Sequence, residues 1–238
     1  MSSPKSITLY TAKVCPYAQR VEITLAEAKA DFKAYQIDLA NKPEWYAPKV
    51  NPASKVPAIA YGGPDVAPEN PSPESTKLAE SLVLVEFVAD LFPQSNILPK
   101  DPVLRAQARF FIEVIGSKFI PAYIKFVLRG EGYEDLLAGV AAVQDLLPES
   151  GKYAFGDQYT IADVAFTPFF ARLKLAAENE LGVYQTGQGR AFLDALSSDK
   201  YAKFNAYVNH LLERPSFTST FHEAYLKDVY AKRFVKAQ

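Results

Sequence analysis

Residues 92–102, Phe-Pro-Gln-Ser-Asn-Ile-Leu-Pro-Lys-Asp-Pro, carry three prolines in eleven positions and divide the chain into two unlike halves. Proline fixes φ and removes a backbone donor, so this seam is neither helix interior nor central strand. Before it, strand and helix signals alternate. Ile7-Thr8-Leu9-Tyr10 alternates and is β-prone, residues 16–30 have helical spacing with Val21, Leu25 and Ala28 apolar, and residues 32–37 alternate again. Lys42-Pro43-Glu44-Trp45 opens a short helix or turn, residues 56–61 read as a third strand, and the proline- and glycine-rich residues 62–75 read as an exposed loop. Lys77-Leu78-Ala79 supplies a further strand, and Ser81 is placed to cap an apolar helix over 82–91. After the seam the pattern is helical over 103–128, 134–147, 160–177, 199–212 and 217–234, with a loop at 182–189. The expected architecture is a small α/β domain over 1–92 followed by an all-helical domain over 102–238.

With 238 residues, 49% of them apolar, the chain has the material for this core. Its 26 basic and 27 acidic residues balance to a formal charge of −1, which argues against nucleic acid or an anionic membrane as partner. No apolar run suits a signal peptide or a membrane span. A single cysteine makes no intrachain disulfide, so the expected location is the reducing cytoplasm. Two histidines and one cysteine offer little for a metal site, and none is expected.

That cysteine, Cys15, directly follows the first strand and precedes Pro16, which suits a first helical turn. Backbone N–H groups and the positive end of the helix dipole favour a thiolate there. The placement marks Cys15 as a reactive thiol rather than a small buried one. Position 18 is alanine, so no resolving thiol stands where dithiol oxidoreductases keep theirs. A monothiol attacks a mixed disulfide but needs an external thiol to regenerate it, and hence a site for that thiol.

The same half supplies parts for one. A cis Pro57 would present the Val56 N–H and C=O to a peptide-like ligand, although a proline at a strand start is also ordinary. Glu80-Ser81 opens a helix whose hydroxyl and N–H groups suit a carboxylate while Glu80 takes an ammonium; Ser81 equally serves as a plain cap. Lys42 is a single cation, of the kind usually solvated. In the second half, Thr160-Ile161-Ala162-Asp163 has capping-box spacing, with Tyr159 and Val164 as a hydrophobic staple, and Asp163 reads as structural.

Taken in order, Cys15-Pro16-Tyr17-Ala18-Gln19-Arg20, Asn41-Lys42-Pro43-Glu44-Trp45, Val56-Pro57, Glu80-Ser81 and Thr160-Ile161-Ala162-Asp163 resemble a glutathione transferase of the omega class, fungal type, over nearly the whole chain. The resemblance implies a thioredoxin-like N-terminal domain, an all-α C-terminal domain and a homodimer. It implies that Cys15 forms a mixed disulfide with glutathione. It further implies that Lys42 meets the glycyl end, the backbone of Val56 beside Pro57 the cysteinyl unit, Glu80 the γ-glutamyl ammonium and Ser81 its carboxylate. Residues 62–76 are longer and richer in proline than the class leads one to expect, and 182–198 has the look of an insertion.

Phe119, Tyr123 and Phe126 recur at spacings of four and three and so share a helical face. With Tyr17, Phe221 and His222 they are candidates for a second-substrate pocket between the domains, suited to aromatic or phenolic compounds; the same stripe also reads as domain core. The function expected is a glutathione-dependent thiol transferase: deglutathionylation, reductive cleavage of glutathione conjugates and dehydroascorbate reduction. The alternative is a non-catalytic binding or storage protein for aromatic small molecules. A membrane-associating relative of the intracellular chloride channels, which share a Cys-Pro start, is disfavoured because no long apolar segment follows Cys15.

Overall fold

The structure is a computed structural model in which residues 5–234 are described. The chain divides into two compact units, Met1–Leu98 and Pro99–Gln238.

The first unit is built on a four-stranded mixed sheet, order β2-β1-β3-β4. Strands β1 (Ile7–Thr11) and β2 (Lys33–Gln36) are parallel, while β3 (Ala58–Tyr61) runs antiparallel to both β1 and β4 (Thr76–Ala79). Side chains alternate across a pleated strand, and the core obeys this. Ile7, Leu9 and Ile59 pack with Val21 and Leu25 of α1 (Pro16–Ala28) and Leu84 and Val88 of α3 (Ser81–Leu91). Tyr10, Ala58 and Ala60 point the other way, toward Tyr46 and Val50 around the short α2 (Tyr46–Lys49). The long loop after β3 is tied to the sheet: Tyr10 Oη donates to Pro68 O at 2.8 Å. Lys77 Nζ donates to Ser72 O at 2.6 Å and to Ser75 O at 2.9 Å. Burial lowers the pKa of that ammonium.

The second unit surrounds α7 (Ile161–Glu178), nearly all of whose side chains are buried. Its N-terminus carries the capping box expected from Thr160 and Asp163: Thr160 N donates to Asp163 Oδ2 at 2.7 Å, and Thr160 Oγ1 accepts from Ala162 N at 3.3 Å. Around it lie α4 (Pro102–Val114), α5 (Ile120–Tyr123), α6 (Glu134–Gln144), α8 (Gln188–Leu196), α9 (Ala202–Leu212), α10 (Pro215–Thr218) and α11 (Glu223–Arg233).

Three expectations change. The single helix over 103–128 is interrupted by π-helical stretches at Ile115–Phe119 and Ile124–Leu128, flanking α5. Pro121 has no N–H to continue the regular ladder, and the wider turns accommodate the gap. The helix expected over 217–234 is two helices. Between them Thr220 Oγ1 donates to Ser216 O and Phe217 O at 2.9 and 3.1 Å, competing with the backbone for those carbonyls. The loop expected over 182–189 ends at Gly187, since Gln188 and Gly189 already open α8, a helix that lies wholly within the 182–198 stretch. A Cβ at Gly189 would lie 2.6 Å from Ala177 O, so glycine is what lets α8 press against α7.

Candidate active site

Strand pairing gathers the N-terminal candidates at one end of the sheet. Ala58, which opens β3, pairs with Tyr10 near the end of β1 and with Ala79 at the end of β4. The segments holding Cys15, Val56-Pro57 and Glu80-Ser81 all continue from that end.

Cys15 takes the N-cap position of α1 in an extended conformation, φ −85° and ψ 116°, with Pro16 following in the first turn. Its N–H donates to Ala12 O at 2.8 Å and its C=O accepts from Gln19 N at 3.2 Å. The thiol is half-buried and donates to Val56 O at 3.9 Å, within range for sulfur. The Val56–Pro57 peptide bond is cis.

Glu80 and Ser81 differ from expectation in one respect. Ser81 is not the cap but the first residue of α3, and Glu80 occupies the cap position with φ 72° and ψ 113° and no side-chain cap bond. A non-glycine residue at positive φ costs of order 1–3 kcal/mol, and such strain concentrates at functional sites. Here it turns the chain sharply from β4 into α3 and leaves the Glu80 carboxylate at the surface. Ser81 is buried and accepts from Arg20 Nη1 at 3.2 Å. Lys42 is exposed but held: its Nζ donates to Ser54 O at 2.6 Å, in the segment leading to Val56.

Arg20 is the residue that sequence reasoning missed. A charged residue in an amphipathic helix reads as solvated, yet Arg20 is 3% exposed. Its guanidinium lies 5.3 Å from the Tyr17 ring centroid. Burial lowers its pKa to about 10, against the opposing pull of Tyr17 and Cys15. It remains a cation at neutral pH.

The aromatic stripe is corrected in part. Phe119 and Phe126 have no exposed surface and belong to the core of the helical unit. Phe119 packs edge-on to Phe166 with centroids 4.8 Å apart, and Phe126 stacks on Tyr184 at 4.3 Å. Tyr123 is also buried, its hydroxyl 3.5 Å from that of Tyr230. A fully enclosed ring offers no wall to a ligand. Tyr17, in the first unit, is 40% exposed; Phe221 is half-buried and His222 exposed. Phe221 and Phe217, stacked at 4.9 Å, help line a cavity of about 310 Å³ within the helical unit, with Ala171, Leu175 and Leu212.

Comparison with known proteins bears on this arrangement. Residues 9–96 match the glutathione S-transferase N-terminal domain and residues 125–210 the glutathione S-transferase C-terminal domain. Glutathione transferase Omega 1C from Trametes versicolor is 58% identical, with a TM-score of 0.95 and 98% of each chain covered. The chain belongs to the omega class of the glutathione transferase family. Omega 2S from the same fungus, solved in complex with 2,4-dihydroxybenzophenone, is 40% identical, with a TM-score of 0.88 and 96% of this chain and 98% of that one covered. Glutathione S-transferase omega-1 of Sus scrofa is 26% identical over 229 residues, 93% of this chain and 87% of its own length. This omega-class enzyme is therefore a glutathione-dependent transferase, with a thioredoxin-like first domain and an all-α second one. Among its described residues no helix is long and apolar enough to cross a membrane.

Proposed function

We propose that this transferase works as a thiol transferase through a Cys15–glutathione mixed disulfide. The observation that carries the reading is the thiol itself, half-buried at the start of α1 and 3.9 Å from the Val56 carbonyl, at the sheet end where Glu80-Ser81 also arrives. The Cys15 thiolate attacks the glutathionyl sulfur of a mixed disulfide, forming Cys15–S–S–glutathione and expelling the other thiol as a thiolate that takes up a proton. A second glutathione, as thiolate, attacks the glutathionyl sulfur of that adduct. Oxidised glutathione leaves and the Cys15 thiolate is restored. Conjugates whose carbon group leaves as a stabilised carbanion are cleaved by the same first attack, the carbanion being protonated by water. Dehydroascorbate takes two electrons and two protons as two glutathiones become the disulfide.

In this reading the Val56 backbone beside Pro57 pairs with the cysteinyl unit of glutathione and Lys42 meets the glycyl carboxylate. Glu80 takes the γ-glutamyl ammonium and Ser81 its carboxylate. A planar phenolic compound is proposed as the second ligand, supported by the Phe217–Phe221 wall and by the benzophenone complex of Omega 2S. We place the enzyme in the cytoplasm as a homodimer, in line with its single thiol and its class.

Turnover of a glutathionylated substrate tests the chemistry. Cys15→Ser should abolish it, while Glu80→Ala should weaken glutathione binding about tenfold, as loss of a charge-assisted hydrogen bond does. Exposed Lys42 should contribute less, about 0–1 kcal/mol. Full turnover in Cys15→Ala overturns the reading. Unchanged glutathione affinity in both Glu80→Ala and Lys42→Ala moves the site elsewhere.

A further inference from the structure

The cycle above makes no use of Arg20, a buried cation on α1. Arg20 extends from α1, the helix that Cys15 begins, to Ser81 at the first position of α3, 61 residues further on. A guanidinium has five N–H donors and no acceptor. In the Arg20–Ser81 contact the serine oxygen is therefore always the acceptor, at 3.2 Å. One lone pair is committed to Arg20, and the hydroxyl proton is left to donate elsewhere. Ser81 also opens α3, where the first backbone N–H groups have no intrahelical partner and the helix dipole is positive. A hydroxyl fixed as a donor, with a cation behind it and a helix start around it, suits an anion. It does not suit an ammonium.

We propose that Arg20 is a positioning residue that holds Ser81 as a hydrogen-bond donor for the γ-glutamyl carboxylate of glutathione. This rests on the assignment of Ser81 to that carboxylate. Lysine is not an equivalent, because an ammonium is a compact point charge without the planar fork that reaches across two helices. The residue acts through Ser81, so its effect should follow one group of the ligand and not ligand binding as a whole.

The test compares two ligands by calorimetry. One is S-methylglutathione, which forms no disulfide; the other is S-methyl-(4-aminobutanoyl)cysteinylglycine, which lacks only the γ-glutamyl carboxylate. The wild-type protein should prefer the first by about tenfold or more, the scale of a charge-assisted hydrogen bond. Ser81→Ala should lose most of that preference. Arg20→Met should lose it to a similar extent, and the double variant should lose no more than either alone, as expected for residues acting as a unit. Arg20→Lys, which keeps the charge, should fall between wild type and Arg20→Met, and it carries the test if Arg20→Met does not fold. Wild-type preference retained in a folded Arg20 variant overturns the proposal and leaves the glutathione site intact. So do losses that multiply in the double variant. Full preference in Ser81→Ala removes the assignment beneath the proposal and overturns both.

Discussion

Asp163 gives a prediction whose sign follows from two opposing effects in the structure. Its carboxyl is completely buried at the start of α7 and accepts from Thr160 N at 2.7 Å, Thr160 Oγ1 at 3.1 Å and Ala154 N at 2.9 Å. Each donor favours the carboxylate; burial favours the neutral acid. Burial prevails, and the pKa rises to about 6. An unfolded chain titrates the same group near 4, so between about 4 and 6 the folded state holds the extra proton. Stability from this group is thus greatest below that window and falls as pH rises through it. At 1.36 kcal/mol per pKa unit the loss by pH 7 is about 3 kcal/mol. Urea unfolding of wild type and Asp163→Asn, followed by circular dichroism at several pH values from 4 to 7, isolates it. Other carboxylates cancel in the difference. Wild type should gain on the variant by up to about 3 kcal/mol as pH falls from 7 to 4. A difference that is flat, or that grows as pH rises, would show that the donors outweigh burial and refute the reasoning.

A Cβ on Gly139 would lie 3.1 Å from Phe119 Cα and 3.2 Å from Lys118 O, so Gly139→Ala should push α6 off the π-helical stretch. The expected cost is about 1–3 kcal/mol despite alanine's better helix propensity, read as a lowered melting temperature. Lys77→Ala removes the donor that ties down Ser72 O and Ser75 O. Limited proteolysis should then cut within residues 62–75 at protease concentrations that leave wild type whole. Phe126→Ala should cost about 3–5 kcal/mol of stability, as a cavity in a packed core does, with glutathione affinity unchanged. A stable variant with weakened binding of phenolic compounds would restore Phe126 to the second-substrate pocket.

Local pattern carried much of this fold. The alternation of Ile7-Thr8-Leu9-Tyr10 foretold a strand, and in the structure both faces of that strand are covered, Ile7 and Leu9 on one side and Tyr10 on the other. Thr160 and Asp163 stand three apart, and a cap needs nothing from elsewhere in the chain. What stayed hidden depends on distant partners or on a single atom. Pro121 interrupts an apolar run too helical for its missing N–H to stand out. Phe119 and Phe126 share a face in any helix, and only Phe166 and Tyr184 make that face interior. The burial of Arg20 was not legible locally, since one group it meets, Ser81, stands 61 residues away at the start of α3. At the site, strand, Cys-Pro and helix were legible in order. The positive φ of Glu80, which makes Ser81 a helical residue instead of a cap, was not.

The central claim is that Cys15 carries glutathione during turnover. Rapid mixing of the enzyme with a glutathionylated peptide, quenching in acid and intact-mass spectrometry measure this directly. One glutathionyl group per chain should appear on the peptide containing Cys15, at least as fast as steady-state turnover, and a second glutathione should remove it. Turnover that proceeds with no such adduct, or with an adduct formed more slowly than product, would contradict the account.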